Sequence, residues 1–216
     1  MKKVTLLFAA ALGMFLYACG GSNSEGDSDY EGEDYEATAF VDVDNGADTT
    51  VVVTIESKDG EDKFELEIPS WEVEMIEMPY GEYHVKAVTV TDSVIVDEDF
   101  KLEEVDYVYG FNLNLTKEDY IVENVVYAVN PTGLENYGKT LTYDGKTYDN
   151  IDAYVIEGKL VVPEEWDYNL DEEYPEEIEL AAGSTTDSRS KLYRASTYIL
   201  ILELAELFEE YGDESF

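Results

Sequence analysis

Pro79-Tyr80-Gly81-Glu82-Tyr83-His84-Val85-Lys86-Ala87-Val88 opens on turn residues and then alternates, with Tyr83, Val85 and Ala87 on one side and Glu82, His84 and Lys86 on the other. A side-chain period of two, carried by β-branched and aromatic residues, is the pattern of a half-buried strand. The same period runs outward in both directions. Upstream it predicts strands over 37–43, 50–55, 64–68 and 73–78; downstream it predicts 94–100, 107–115 and 121–129. Asn45-Gly46 lies between the first two, and because Asn-Gly tolerates the positive φ of a type I′ turn it predicts a hairpin there. Short strands at this spacing, with no helix-period segment between them, predict a mainly β chain with an antiparallel β-sandwich over 37–130.

Beyond Asn130-Pro131-Thr132-Gly133 the texture changes to a smaller α+β region over 131–216. Asp144-Gly145 predicts a second hairpin, and 154–162 predicts two strands about Gly158. The stretch 163–179 is irregular and acidic and carries Trp166, Tyr168 and Tyr174. A helix is predicted over 197–211, with Ser196 as N-cap and Gly212 after its end. Leu200, Leu204, Leu207, Phe208 and Tyr211 fall on one face at helical spacing, so that face is expected to cover a sheet.

The run Met78-Pro79-Tyr80-Gly81-Glu82-Tyr83-His84-Val85-Lys86-Ala87 resembles the Pro-x-Gly-x-Tyr/His-x-Val motif of small bacterial sandwich modules such as PEGA. The resemblance implies an immunoglobulin-like or transthyretin-like sandwich, and it brings no catalytic residues with it, because function belongs to sites and not to folds.

The N-terminus reads as an address. Lys2 and Lys3 precede an apolar run over 4–16, too short for the roughly 20 residues of a membrane-crossing helix. Leu16-Tyr17-Ala18-Cys19 resembles the lipobox of bacterial lipoproteins, which implies cleavage of a signal peptide over 1–18 and acylation of Cys19. Cys19 is the only cysteine, so no internal disulfide can form. Residues 19–36 are then a lipidated cysteine and an acidic Gly/Ser tether with almost nothing to bury. Glycine-rich and acid-rich segments of this kind resemble those of Bacteroidota surface lipoproteins. The expected location is therefore a bacterial membrane, at the outer membrane or cell surface, with the lipid on Cys19 as the membrane contact.

The chain carries 51 acids against 13 Lys and Arg, a formal net charge of −38. Nucleic acid is excluded as a partner, because a phosphate backbone needs clustered cations. Divalent cations, basic partner proteins and neutral glycans remain, or no ligand at all, with the charge serving solubility in a saline medium, which is the leading reading. One His, His84, and one Cys committed to lipid leave no ligand set for zinc, and His84 has no nucleophile motif to serve. Catalytic residues are expected to be none. Calcium needs only oxygen, so Asp42, Asp44 and Asp48 are candidate ligands, although their spacing fails the EF-hand pattern and no other cofactor is expected. Asp97-Glu98-Asp99 and Asp171-Glu172-Glu173 are further acid runs. Trp71 and Trp166 are candidate platforms for sugar rings. Two functions follow from this: a non-catalytic binding or structural module on a membrane-anchored exported lipoprotein, or a carbohydrate-binding or carbohydrate-processing surface lipoprotein. Metabolic labelling with a fatty-acid analogue is expected to mark the wild type and leave Cys19→Ser unlabelled; equal labelling would remove the anchor.

Overall fold

A computed structural model describes residues 37–106, 108, 110–128 and 138–211, the last three by backbone alone. The signal peptide, Cys19, the tether and the Pro131 turn lie outside the described residues. Strand predominates among the described residues, so the protein is mainly β, with several antiparallel sheets and a C-terminal helix. Among the described residues no helix is long and apolar enough to cross a membrane.

The first strands are β1 (Thr38–Asp44), β2 (Val51–Ser57), β3 (Lys63–Ile68), β4 (Val73–Pro79), β5 (Gly81–Thr89), β6 (Val94–Leu102) and β7 (Phe111–Asn114). They are followed by β8 (Tyr120–Ala128), β9 (Thr140–Tyr143), β10 (Lys146–Asp149), β11 (Ala153–Ile156), β12 (Val161–Pro163), β13 (Thr186–Arg194) and α1 (Ala195–Tyr211). One four-stranded sheet has the order β12-β7-β1-β4 and another β3-β2-β5-β6. All pairings are antiparallel except β1 with β7.

These two sheets share one core. Ala39, Val41, Val43, Phe111 and Leu113 come from the first sheet, and Val51, Val53, Ile55, Tyr83, Val85 and Ala87 from the second. The alternation quoted at the outset therefore holds in space: Tyr83, Val85 and Ala87 are buried, and Tyr83 also donates its hydroxyl hydrogen to the Pro79 carbonyl at 2.7 Å.

No hairpin forms at Asn45-Gly46. β1 and β2 go to different sheets, and neither residue has positive φ. Asn45 instead turns inward, fully buried, and its Nδ2 donates to the carbonyls of Thr49, Ile68 and Pro69 at 2.7–3.0 Å, tying the crossover to the β3–β4 turn. Gly46 is there for room, since a Cβ would meet Thr116 Oγ1 at 2.6 Å. Asp144-Gly145 does turn a hairpin, with φ of 46° and 78° joining β9 to β10.

The strand pairing also crosses residue 130. β8, expected in the sandwich, lies between β11 and β13, while β12 leaves its neighbour β11 and extends the sheet of β7 and β1. The described residues fall in one compact unit. The reason is that the sheet of β1 and β7 has two buried faces. Residues directly opposite across paired strands share a face, so Val41 and Val43 stand with Phe111 and Leu113, while Asp42 and Asp44 stand with Asn112 and Asn114. The first face meets the core already described. The second lies toward Tyr120, Val122 and Leu192 of β8 and β13, which cluster with Val162 and Trp166.

Asp44 is fully buried in that second face. Arg194, at the end of β13, is bonded to it through Nη2 and also through Nε at 3.0 Å, and the Tyr120 hydroxyl donates to its other oxygen at 2.6 Å. Tyr120 and Arg194 are directly opposite in the β8–β13 ladder, so both reach the same carboxylate. Trp71 closes the outside, with the guanidinium 5.6 Å from its ring centroid.

The helix differs from expectation in its orientation. It starts at Ala195, inside which the expected cap Ser196 is exposed and donates to Glu118 at 3.1 Å. Ala195 and Tyr198 are its buried residues, joined by Ile199 and Leu202 against Ile121, Leu141 and Tyr148. The expected covering face is exposed at Leu200, Leu204, Leu207 and Phe208, while the Tyr211 side chain and Gly212 lie outside the described residues. Two bonds near the helix start set this rotation: Ala195 N–H to the Asp119 carbonyl at 2.9 Å, and the Tyr198 hydroxyl to Glu123 at 2.8 Å.

Removing one partner of a buried ion pair strands the other charge, at about 3–5 kcal/mol. Asp44→Ala and Arg194→Met are each expected to cost that much in urea unfolding, and the double variant is expected to cost less than the two together. Additive losses would show that the two side chains do not act as a pair.

Candidate functional site

Beside the Asp44 pair, the same polar face opens into a cleft of about 560 Å³. It is lined by Phe40 and Asp42 of β1, Met75 of β4, and Glu164, Trp166, Asp167, Asn169, Asp171 and Glu172 of the loop after β12. Phe40 and Met75 are exposed at its rim, whereas Trp166 is only 6% exposed. Strand pleat puts Phe40, Asp42 and Asp44 on one side of β1, and Met75, opposite Asp42 in register, on the same side of β4.

Asn169 organises the cleft. It is buried, and its Nδ2 donates to both Asp42 Oδ2 and Glu164 Oε1, the latter at 2.6 Å. Its Oδ1 accepts from Asn112 Nδ2 at 3.1 Å, and its backbone N–H donates to Glu172 at 2.6 Å. Its carbonyl accepts from Lys191 Nζ at 3.0 Å. Lys191 also bonds the Glu172 carbonyl and is buried, so this lysine spends its hydrogen bonds on the loop backbone. Glu164 extends beyond β12 through a backbone bond to the Gly110 carbonyl at 2.9 Å. Its carboxylate lies over Gly110, where a Cβ would meet Oε2 at 2.5 Å.

Two acids held by one amide are driven toward the protonated form. Burial, then the Asp171 carboxylate, with Glu172 and Asp44 adding to them, pushes Asp42 up to about 6 against the Asn169 bond that lowers it. Burial, then Asp42, with Glu172 and Asp171 behind, pushes Glu164 up to about 7, while the facing Trp166 indole N–H lowers it. Among the described residues no Lys or Arg lies within 4 Å of the carboxylates of Asp42, Glu164, Asp171 or Glu172. Trp166 Nε1 is directed at Glu164 without reaching full hydrogen-bond geometry, and Asn112 Oδ1, behind Asn169, accepts no hydrogen bond.

The three aspartates considered for calcium do not converge. Asp44 is engaged by Arg194, Asp48 is exposed in the crossover, and Asp42 faces the cleft. Among the described residues no group of three or more His, Cys, Asp or Glu side chains is placed to hold a metal ion. The two tryptophans part as well: Trp71 is 46% exposed over Arg194, and Trp166 lines the cleft. His84 is a surface strand residue between Asp97 and Asp99, at 3.0 and 2.7 Å. The run 97–99 is matched by cations, Lys86 to Asp97 at 3.4 Å, Lys117 to Glu98 and Lys58 to Asp99. The acids of the cleft have no cation in direct contact among the described residues, and Lys191 acts on Glu172 and Asp171 only from behind the loop.

Glu164, Asn169 and Asn112 did not stand out in the sequence. A signal was present in Phe111-Asn112-Leu113-Asn114, where the polar side of the alternation carries amides while other strands carry Glu, Asp or Lys there. Amides without charge on that side suit a face that is buried and hydrogen-bonded. No family model, curated protein or solved structure matches the chain.

Because the folded state holds protons on Asp42 and Glu164 that the unfolded chain releases at lower pH, stability contributed at these sites is lost as pH rises from about 4 through 7. Discounted for solvent screening, the cost is on the order of 1 kcal/mol, or about 2–4 °C in a chain of this size. The double variant Asp42→Asn/Glu164→Gln is expected to melt that much above the wild type at pH 8, with the gap closing at pH 4. A gap independent of pH would contradict the assignment.

Proposed function

We propose that this chain is an exported lipoprotein, held at the outer membrane or cell surface through acylated Cys19, whose folded unit is a non-catalytic module that binds ligand in the Asp42–Glu164 cleft. The observation that carries the reading is the cleft itself. Its acids without an ion-pair partner, its exposed apolar rim and its incompletely bonded indole N–H are costly to folding, and such a cost is characteristic of a binding site. A non-catalytic role is supported by Asn169, which occupies the space between the two carboxyls where a hydrolase would need substrate or water.

For the fold, the strand order supports the transthyretin-like alternative over the immunoglobulin-like one. Immunoglobulin domains keep their first two strands in one sheet, whereas here β1 and β2 are in different sheets and β1 runs parallel to β7. The glycan reading keeps Trp166 alone at the cleft, with its ring almost covered.

The test is thermal melting of the detergent-extracted, full-length lipoprotein with an alkylamine, a neutral oligosaccharide and calcium in turn. A ligand at a hundred times its Kd adds about 2.7 kcal/mol, so one class is expected to raise Tm by several degrees without turnover of aryl glycosides. No shift with any class, or glycoside turnover, would overturn the reading.

A further inference from the structure

We propose that the cleft takes a primary ammonium or guanidinium group on an apolar stem, the chemistry of a lysine or arginine side chain presented in a peptide. This rests on the reading of the cleft as a binding site and names its ligand.

The charge requirement comes first. Asp42, Glu164, Asp171 and Glu172 line one opening, and among the described residues no Lys or Arg lies within 4 Å of their carboxylates, although the same chain pairs Asp97, Glu98 and Asp99 with cations on its open surface. Lys191, the cation packed behind the loop, gives its hydrogen bonds to the carbonyls of Asn169 and Glu172, and the sign of the cleft stays negative. A ligand that supplies the missing positive charge relieves the mutual repulsion of these acids.

The shape of that charge comes second. A bare metal ion needs several oxygen ligands converging at one point, and among the described residues no such group of three exists. An organic cation needs a less strict shell. It donates several hydrogen bonds from one end, to Asp42 and Glu164, and its stem wants apolar surface. Phe40 and Met75, both exposed at the rim, provide that surface, and the Phe40 ring adds cation–π attraction. A volume of about 560 Å³ accommodates a side chain and the backbone that carries it.

The third observation is independent of charge. Trp166 is 94% buried, and its Nε1–H is directed at Glu164 in the cleft wall without reaching full hydrogen-bond geometry. Asn112, fully buried beneath Asn169, leaves its Oδ1 without a donor. Buried polar atoms are nearly always satisfied, so an incompletely bonded donor in a cleft wall is a place where water or a ligand group completes the bonding. A basic residue in a peptide suits such a wall, because the cation at its tip pairs the acids and the carbonyl at its root offers an acceptor to the indole N–H.

Calorimetric titration of the detergent-extracted, full-length lipoprotein tests this with four probes at pH 7.5: Nα-acetyl-lysine methylamide, its norleucine counterpart, pentylamine and calcium chloride. The lysine probe is expected to bind at least tenfold more tightly than the norleucine probe. Glu164→Gln and Asp42→Asn are each expected to weaken it tenfold or more, and Glu165→Gln, outside the cleft, to leave it unchanged. Affinity is expected to fall at least tenfold between pH 7.5 and 5.5, with protons released into the buffer. Pentylamine binding as tightly as the lysine probe would support ammonium recognition and assign the source to a free amine. Equal binding of lysine and norleucine probes, or saturable calcium binding that displaces the lysine probe, would overturn the proposal. A neutral oligosaccharide that binds where amines do not would sink this inference and leave the binding module standing, whereas silence from every ligand would sink both.

Discussion

Asp44 sits with no solvent exposure on a strand of the first sheet, and the two groups that satisfy it, Arg194 and Tyr120, come from a different sheet. A carboxylate in that position is tolerable only if the guanidinium arrives, since an unpaired buried charge costs several kcal/mol. The pair therefore ties residue 44 to residue 194 and requires β8 and β13 to lie across the polar face of β1 and β7. Neighbouring features follow from that demand. Val162 and Trp166 pack with Tyr120 and Leu192 in the space beside the pair, and Trp71 shelters the guanidinium from outside. Such a pair contributes more to the choice of one arrangement than to net stability, because apolar residues of similar volume would be at least as stable.

The cleft is the same polar face carried two residues further. Asp42 is on the same side of β1 as Asp44, but the covering layer ends before it, and the loop after β12 takes over. Where the cover is complete, the acid is answered by an arginine. Where it is incomplete, the acid is answered by an asparagine amide that it shares with Glu164, and both acids hold their protons up to about 6 and 7. One face of one sheet thus provides a structural ion pair and an electrostatically unsettled opening, and the difference is in what the second layer brings to each position.

Elsewhere the acid excess is handled in ordinary ways. On the open surface of β5 and β6, acids lie opposite lysines and a histidine across the strands, as pairs of modest worth. The exposed Leu200, Leu204, Leu207 and Phe208 of α1 show that apolar spacing on a helix does not by itself settle which side is covered. The two bonds at its start fix the rotation, and only the first turns are close enough to the sheet to be buried.

The sequence by itself determined the strands. Alternation over 83–90, the turn chemistry of Asp144-Gly145 and the helix near the C-terminus are local properties, set by pleat, φ and helical period, and they stand in the structure close to where they read. Partnership was a different matter. Asn45-Gly46 has every local sign of a type I′ hairpin, yet burial of Asn45 and its three carbonyl bonds turn the chain into the other sheet. Asp42 and Asp44 read together as candidate calcium ligands, and only the layer across β1 decides that one is paired with Arg194 and the other opens to the cleft. Glu164 and Asn169 could not be singled out, because they acquire their meaning from Asp42 and Asn112, 127 and 57 positions before Asn169. Local sequence carries dihedral preference and period; which faces meet, and so which charges are left unanswered, is a long-range packing outcome that no short stretch encodes.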